Sequence, residues 1–283
     1  MSERKIVDQF GQPYGESNQI IRPSPEDVSS IIEDHGYGQI QTERAGLSEA
    51  KTKDREEEAI KGKAAVEFSA EAKLHPERYE YIAEYIKTLI EKYKIQNPFI
   101  MDFGSGPGIL TTMIAEKNPG SRVTGIDLSE DMLEIAKQNI EEKHLEPRVK
   151  LVHYNVKEVQ GNTGELADIV VSRNMLHRLE VLQEGLLAMA RASKEKGGIV
   201  FNTSFRNLND LDQSGQKRWV KDFHERDGYP ALQEAWVLAY MNAPTLSQYE
   251  ESAKKVAEII DADKLQVQAG NFNEVNIFLK KKS

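Results

Sequence analysis

Three glycines and two carboxylates carry the clearest chemistry in this sequence. The stretch Phe99-Ile-Met-Asp-Phe-Gly-Ser-Gly-Pro-Gly108 runs from apolar residues into a turn holding Gly104, Gly106 and Gly108. Asp127 follows nineteen residues after Gly108, at the end of a second apolar run, Val123 to Ile126. Glycines lack Cβ, so a ligand can lie against bare backbone. An acid at a strand end can accept hydrogen bonds from both hydroxyls of a ribose. Strand, glycine turn, helix, strand and acid in that order make half of a nucleotide-binding α/β unit.

The spacing separates two cofactor classes. A dinucleotide loop needs a small third residue so that helix and strand pack closely. From Gly104 that position is Ile109, which is large and branched, and from Gly106 it falls at Leu110 and Thr111. The chain instead reads Asp-x-Gly-x-Gly-x-Gly from Asp102. This resembles the first motif of the class I S-adenosylmethionine-dependent methyltransferases. The likeness continues in order through the second, third and fourth strands, over the last two thirds of the chain.

The resemblance implies S-adenosylmethionine as cofactor and assigns residues to its parts. Gly104, Ser105, Gly106 and Gly108 would lie along the methionyl and sulfonium side, with Asp102 orienting the loop and the amino group. Asp127 would take the ribose hydroxyls, while Leu128 and Met132 would pack on the adenine. Met132 serves equally well as ordinary core. Asn155 stands where the family has an acid, and its amide oxygen can accept from the adenine amino group with less charge. The Val156 N–H would serve the ring nitrogen. Backbone carbonyls near Ser172 and Arg173 would face the methionine amino group.

After the fourth strand comes Ser172-Arg-Asn-Met-Leu-His-Arg178. It lacks the Asp or Asn-Pro-Pro-aromatic pattern of amino nucleic-acid methyltransferases and resembles the Asn-x-Leu-His segment of small-molecule ones. Asn174 and His177 are therefore the catalytic candidates: Asn174 where the strand opens toward an acceptor, His177 as a general base or as a packed ring. The insertion 205–245 is rich in bulky groups. Trp219, Phe223, Tyr229, Trp236 and Tyr240 can roof an acceptor pocket beyond the strand ends or form a satellite core.

These residues need elements to hold them. Tyr79, Ile82, Ala83, Ile86, Leu89, Ile90 and Tyr93 fall at three- and four-residue spacing, which predicts a helix over 76–94. Its first residues, Arg78, Tyr79 and Tyr81, are the part able to face a ligand. Strands are expected at 99–103, 122–126, 148–154, 168–172 and 198–204, with helices at 107–117, 130–144 and 180–193 between them. Such alternation implies a parallel sheet covered on both faces. Ser247 and Glu250 suggest a capping box for a helix over 247–260. Strands 264–269 and 274–280 are joined too closely for a parallel crossover and must form a hairpin. The expected fold is thus α/β, a doubly wound, mostly parallel seven-stranded sheet with an antiparallel last strand, plus a helical N-terminal cap. Residues 1–75 form an extension, either a lid over the cofactor or a loose appendage, with a short helix at Glu26–Glu33. Residues 76–283 form the cofactor-binding domain.

Composition narrows the function. Across 283 residues there are 37 basic and 46 acidic side chains, a net charge of −9, and the mean hydropathy is −0.58. That balance argues against a phosphate-backbone substrate. Cysteine is absent, which removes disulfides, thiolate metal sites and cysteine nucleophiles. No metal is expected. No apolar run nears the roughly 18 residues of a membrane span, and Met-Ser-Glu-Arg-Lys is unlike a signal core, so a cytoplasmic protein acting on a small molecule is the expectation. Three alternatives stay open: a protein or RNA methyltransferase, a dinucleotide oxidoreductase, and a non-catalytic cofactor-binding module. Oligomeric state is not legible.

Overall fold

The computed structural model describes residues 60–283 apart from 157–163, 180, 227 and 271–272. The helix expected at Glu26–Glu33 lies outside the described residues.

Two helices lead in, α1 (Gly62–Leu74) and α2 (Glu77–Tyr93). Then come β1 (Phe99–Phe103), α3 (Ile109–Lys117), β2 (Arg122–Asp127), α4 (Glu130–Glu142), β3 (Val149–His153) and β4 (Ile169–Arg173). They are followed by α5 (Leu182–Ala192), β5 (Ile199–Phe205), α6 (Gln213–His224), α7 (Pro230–Asn242), α8 (Leu246–Ile259), β6 (Ala262–Ala269) and β7 (Glu274–Lys281). The sheet order is β3-β2-β1-β4-β5-β7-β6. The first five strands pair in parallel, and β7 lies antiparallel between β5 and β6. The expected doubly wound, seven-stranded sheet with its antiparallel last strand is present. The strand order reverses between β1 and β4, so the crevice beyond their carboxyl ends is where a ligand belongs.

Helices cover both faces. On one, Ile82, Ile86 and Leu89 of α2 pack with Leu110 and Ile114 of α3 and Ile140 of α4. On the other, Leu186 and Met189 of α5 meet Tyr249, Ala253 and Val256 of α8. Full burial of each such aliphatic side chain stabilises by roughly 1.5–3 kcal/mol before chain entropy is charged against it. The α2 stripe is the one the sequence predicts. The helix stops at Lys94, whose φ of 53° is left-handed and whose N–H bonds back to Glu91 and Ile90.

Two local details differ from expectation. The capping box of α8 uses Thr245 and Gln248, not Ser247 and Glu250. Pro244 disfavours a helical Ala243 and sets the chain extended before Thr245. Asp210 then accepts from the Leu246 N–H at 2.5 Å, fixing the first turn. The second detail is α1, which the residue pattern does not announce. Its buried positions are Ala65, Glu67, Ser69, Glu71 and Ala72, while Val66 and Leu74 are exposed. A face carrying two acids has no apolar period to read.

Candidate active site

The glycine turn is clamped to the end of β2. Gly104 N and Ser105 N both donate to the Ile126 carbonyl, at 2.8 and 3.0 Å. Gly106 N donates to Asp127 Oδ2 at 2.7 Å, and Ser129 N to Asp127 Oδ1 at 2.9 Å. Burial raises the Asp127 carboxyl, and these N–H groups pull it back. Each oxygen keeps a second lone pair for a hydroxyl.

The glycines have different reasons. A Cβ on Gly104 would sit 2.8 Å from the Met175 side chain, so this glycine admits the loop after β4. A Cβ on Gly106 would have Phe68 of α1 as its nearest neighbour, at 4.0 Å. With φ at +52° Gly106 is in the left-handed region, and its open side is where a ligand can reach bare backbone.

Asp102, on β1, is buried and accepts from Thr111 Oγ1 at 2.6 Å. Burial pushes its carboxyl up to about 7, with the nearby Asp127 charge adding to the rise. Met132 is buried, and its N–H donates to the cap Ser129 Oγ at 3.2 Å. Leu128 is half-buried, as is Asn155, which follows β3 beside buried Val156. The register Phe103↔Ile126 and Asp127↔His153 brings this whole group to the carboxyl ends of three neighbouring strands. Ser105 and Ser172 add buried hydroxyls without a partner among the described residues.

A second space opens beyond β4. It holds about 550 Å³ of empty volume, part of it open to solvent. Phe68, Tyr79, Phe205, Leu232, Trp236 and Tyr240 supply apolar wall, and Asn174 supplies an amide. Arg173 also lies here: it bonds Glu274 of β7 at 2.8 Å and stacks on Tyr79 at 4.5 Å. The Arg173 side chain, at a position whose backbone carbonyl is expected to serve the cofactor, thus faces this second space. Of the five aromatics expected in the roof, Trp236 and Tyr240 line this space. Trp219 and Phe223 are almost wholly buried in a satellite cluster with Leu208, Val237 and Tyr240. Tyr229 caps α7 and is half-buried.

Asn174 sits in the left-handed region, φ 55°, and its N–H donates to the Thr203 carbonyl at 2.8 Å. Its buried Oδ1 has no partner among the described residues. His177 lies on a 3₁₀ turn, Leu176–Arg178, and is buried with neither ring nitrogen bonded among the described residues. Its ring meets Phe205 at 4.9 Å. Burial, reinforced by Arg178 and Arg173, holds it well below the ordinary imidazole range, so it stays neutral.

Sequence reasoning reached Arg78 and Tyr79 and missed Phe68, Glu71, Arg226 and Glu274, which also line the cavity. Glu71 accepts from both Arg78 and Arg226 through one oxygen, the latter at 2.7 Å. No local pattern marks such residues, because their partners come from distant parts of the chain: Arg173 of β4 bonds Glu274, and Arg226, after α6, bonds Glu71 of α1. Among the described residues, no group of three or more His, Asp or Glu side chains is placed to hold a metal ion. Nor is any helix among them long and apolar enough to cross a membrane.

Residues 100–197 match a family model described as a methyltransferase domain. That stretch of the chain is a methyltransferase domain. A ubiquinone biosynthesis O-methyltransferase from Hydrogenovibrio crunogenus is 33% identical over 141 residues, covering 50% of this chain and 54% of that one. A ribosomal protein L11 methyltransferase from Dictyoglomus turgidum is 31% identical over 134 residues, covering 46% and 42%. The chain therefore spans about half the length of the curated relatives it matches. Among solved structures, the plantazolicin methyltransferase BpumL in complex with SAH superposes with a TM-score of 0.60 at 13% identity, over 77% of this chain and 89% of that one. A Methanococcus maripaludis protein assigned to the S-adenosyl-L-methionine-dependent methyltransferases gives 0.58 at 21% identity, over 80% and 97%. These likenesses give the methyltransferase domain its fold. The bare Gly106 backbone, the two adjacent carboxylates and the two orphaned serine hydroxyls fit a cationic nucleoside cofactor.

Proposed function

We propose that this chain transfers the methyl group of S-adenosylmethionine to a small-molecule acceptor held in the cavity beyond β4. One observation carries the choice of acceptor: most of the cavity's walls are buried side chains. Arg78, Tyr79, Asp222, Arg226, Leu232, Trp236, Tyr240 and Glu274 are each less than a tenth exposed. Walls of that kind enclose a ligand, whereas a folded macromolecule needs an open face. The ubiquinone biosynthesis relative, whose name points to a small molecule, agrees with this; the ribosomal-protein relative does not.

When bound, the cofactor supplies a methyl group already activated on a sulfonium. The chain's own residues bind, align and exclude water. Asp127 holds the ribose hydroxyls, with Leu128, Met132, Asn155 and Val156 around the adenine. Asp102 and the loop Gly104, Ser105, Gly106 and Gly108 receive the amino-acid end, with the Ser172 and Arg173 carbonyls beside it. Asn174 aligns the acceptor through Oδ1, and His177 packs against Phe205. Helix α1 covers both spaces. It is pinned at its start by the Ile60 carbonyl on Ser129 Oγ (2.6 Å) and by Gly62 N on Asp131 (2.6 Å). It is pinned across α7 by Leu232 N on Glu67 (3.1 Å). The test is a metabolite extract incubated with full-length protein and isotopically labelled methyl donor. A labelled small molecule is expected; label found only in protein or RNA would overturn the reading.

A further inference from the structure

The cavity's polar groups are spent in a particular way. Three carboxylates, Glu71, Asp222 and Glu274, share it with four guanidiniums, Arg78, Arg173, Arg178 and Arg226. Glu274 accepts from Arg173 through Oε1 and from Tyr81 and Thr203 through Oε2, at 2.8, 2.7 and 3.1 Å. Glu71 takes two guanidiniums on one oxygen. Asp222 lies 3.8 Å from Arg78, which also reaches Glu225 at 3.5 Å. One buried donor is left over. Arg226 donates from its two Nη groups to the Asp222 carbonyl and to Glu71, and its buried Nε has no partner among the described residues. Arg173 commits Nε to the Arg78 carbonyl and Nη2 to Glu274.

These arginines are fixed in place. Arg226 lies 4.5 Å over Trp236, and Arg173 lies 4.5 Å over Tyr79. A chain of contacts, Glu274–Arg173–Arg78–Glu71–Arg226, joins them along one wall. Burial raises the Asp222 carboxyl, and the charges of Arg78 and Arg226 pull it back. Asn174 Oδ1 is a buried acceptor without a partner among the described residues. Between them lie the rings of Phe205, Trp236 and Tyr240, in contact at 4.4 and 5.0 Å.

Resting on the methyltransferase reading, we infer that the acceptor is a flat aromatic molecule bearing a carboxylate at one end and a hydroxyl or amino group at the other. The carboxylate takes guanidinium N–H groups of Arg226 and Arg173, since guanidinium recognises carboxylate best. The ring lies among Phe205, Trp236 and Tyr240. The O–H or N–H donates to Asn174, beside the end of β4.

The test is calorimetry on the full chain saturated with S-adenosylhomocysteine. The probes are 4-hydroxybenzoate and 4-aminobenzoate against 4-hydroxybenzamide and 4-aminobenzamide, which keep the ring and lose the charge. The acids should bind at least tenfold more tightly. In Arg226→Lys that gap should shrink to under threefold, with S-adenosylhomocysteine affinity unchanged. The wild-type comparison stands if the variant does not fold. Amides that bind as well as acids overturn the proposal, as does a cofactor-loaded protein that takes neither set. No heat from S-adenosylhomocysteine itself would instead overturn the methyltransferase reading beneath it.

Discussion

Arg173, the last residue of β4, donates from Nη2 to Oε1 of Glu274, the first residue of β7, at 2.8 Å. Both are buried, and their strands lie either side of β5. The pair ties the acceptor wall to the sheet across a neighbouring strand. Removing one partner leaves an uncompensated buried charge, so Glu274→Gln should lower stability by about 3–5 kcal/mol. Adding Arg173→Met should recover part of the loss, because the orphaned guanidinium goes too. Urea unfolding of both variants reads this; a single variant as stable as the parent would remove the pair from the stability argument.

The link between Gly106 N and Asp127 makes a second prediction. Asp127→Asn keeps the side-chain size and removes the charge that strengthens bonds to ribose hydroxyls. S-adenosylhomocysteine binding should weaken by about 2–4 kcal/mol, measured by calorimetry. NAD should bind weakly or not at all to the parent. Tight NAD binding without S-adenosylhomocysteine heat would defeat the cofactor assignment.

Asp102 gives a pH dependence of definite sign. Its ordinary value is 3.8, and in the fold it rises to about 7. Between those values the unfolded chain is ionised while the folded chain keeps its proton. Stability therefore falls as pH rises through that window, by up to about 1.4 kcal/mol per pH unit, and levels off above it. Asp102→Asn should remove this component. Unfolding free energies at pH 5 and pH 7 for parent and variant give the difference; identical slopes would mean the carboxyl ionises normally.

The contrast between these residues explains what the sequence makes legible. The α2 stripe, the strand alternation and the terminal hairpin all follow from periodicity and turn length, and all are present. The glycine turn and its acids are local too: Asp102 to Gly108 is one turn, and Asp127 ends the next strand. The cavity beyond β4 is not. Arg173, Arg226, Glu71 and Glu274 come from β4, the turn after α6, α1 and β7, and each is buried against a distant partner of opposite charge. A sequence shows four ordinary charges there. Trp219 and Phe223 mislead in the other direction, since bulky rings in an insertion read alike whether they wall a cavity or fill a core.

Helix α1 supplies a prediction about motion. Its contacts to Ser129, Asp131, Leu232 and Arg226 span both spaces. If α1 closes over bound ligands, hydrogen exchange across 62–74 should slow when cofactor and acceptor are both present. Glu71→Gln should weaken that protection, because it loosens the grip of Arg78 and Arg226. Exchange indifferent to both ligands would make α1 a fixed wall.

His177 separates chemistry from packing. Its buried ring has no hydrogen-bond partner among the described residues and meets Phe205 at 4.9 Å. A base that aligns nothing and is held neutral by burial contributes shape. His177→Phe should therefore keep kcat within a few-fold and keep S-adenosylhomocysteine affinity. The pH effect has its own sign. The unfolded histidine takes a proton below about 6.5 while the folded one does not, so the parent loses stability as pH falls below that value. Asp102 acts in the opposite direction over part of this range, so each component is read as parent minus variant. In His177→Phe the acid-side loss should shrink by up to about 1.4 kcal/mol per pH unit. A fall in kcat of roughly 10²–10⁴-fold with cofactor affinity intact would instead make His177 the general base.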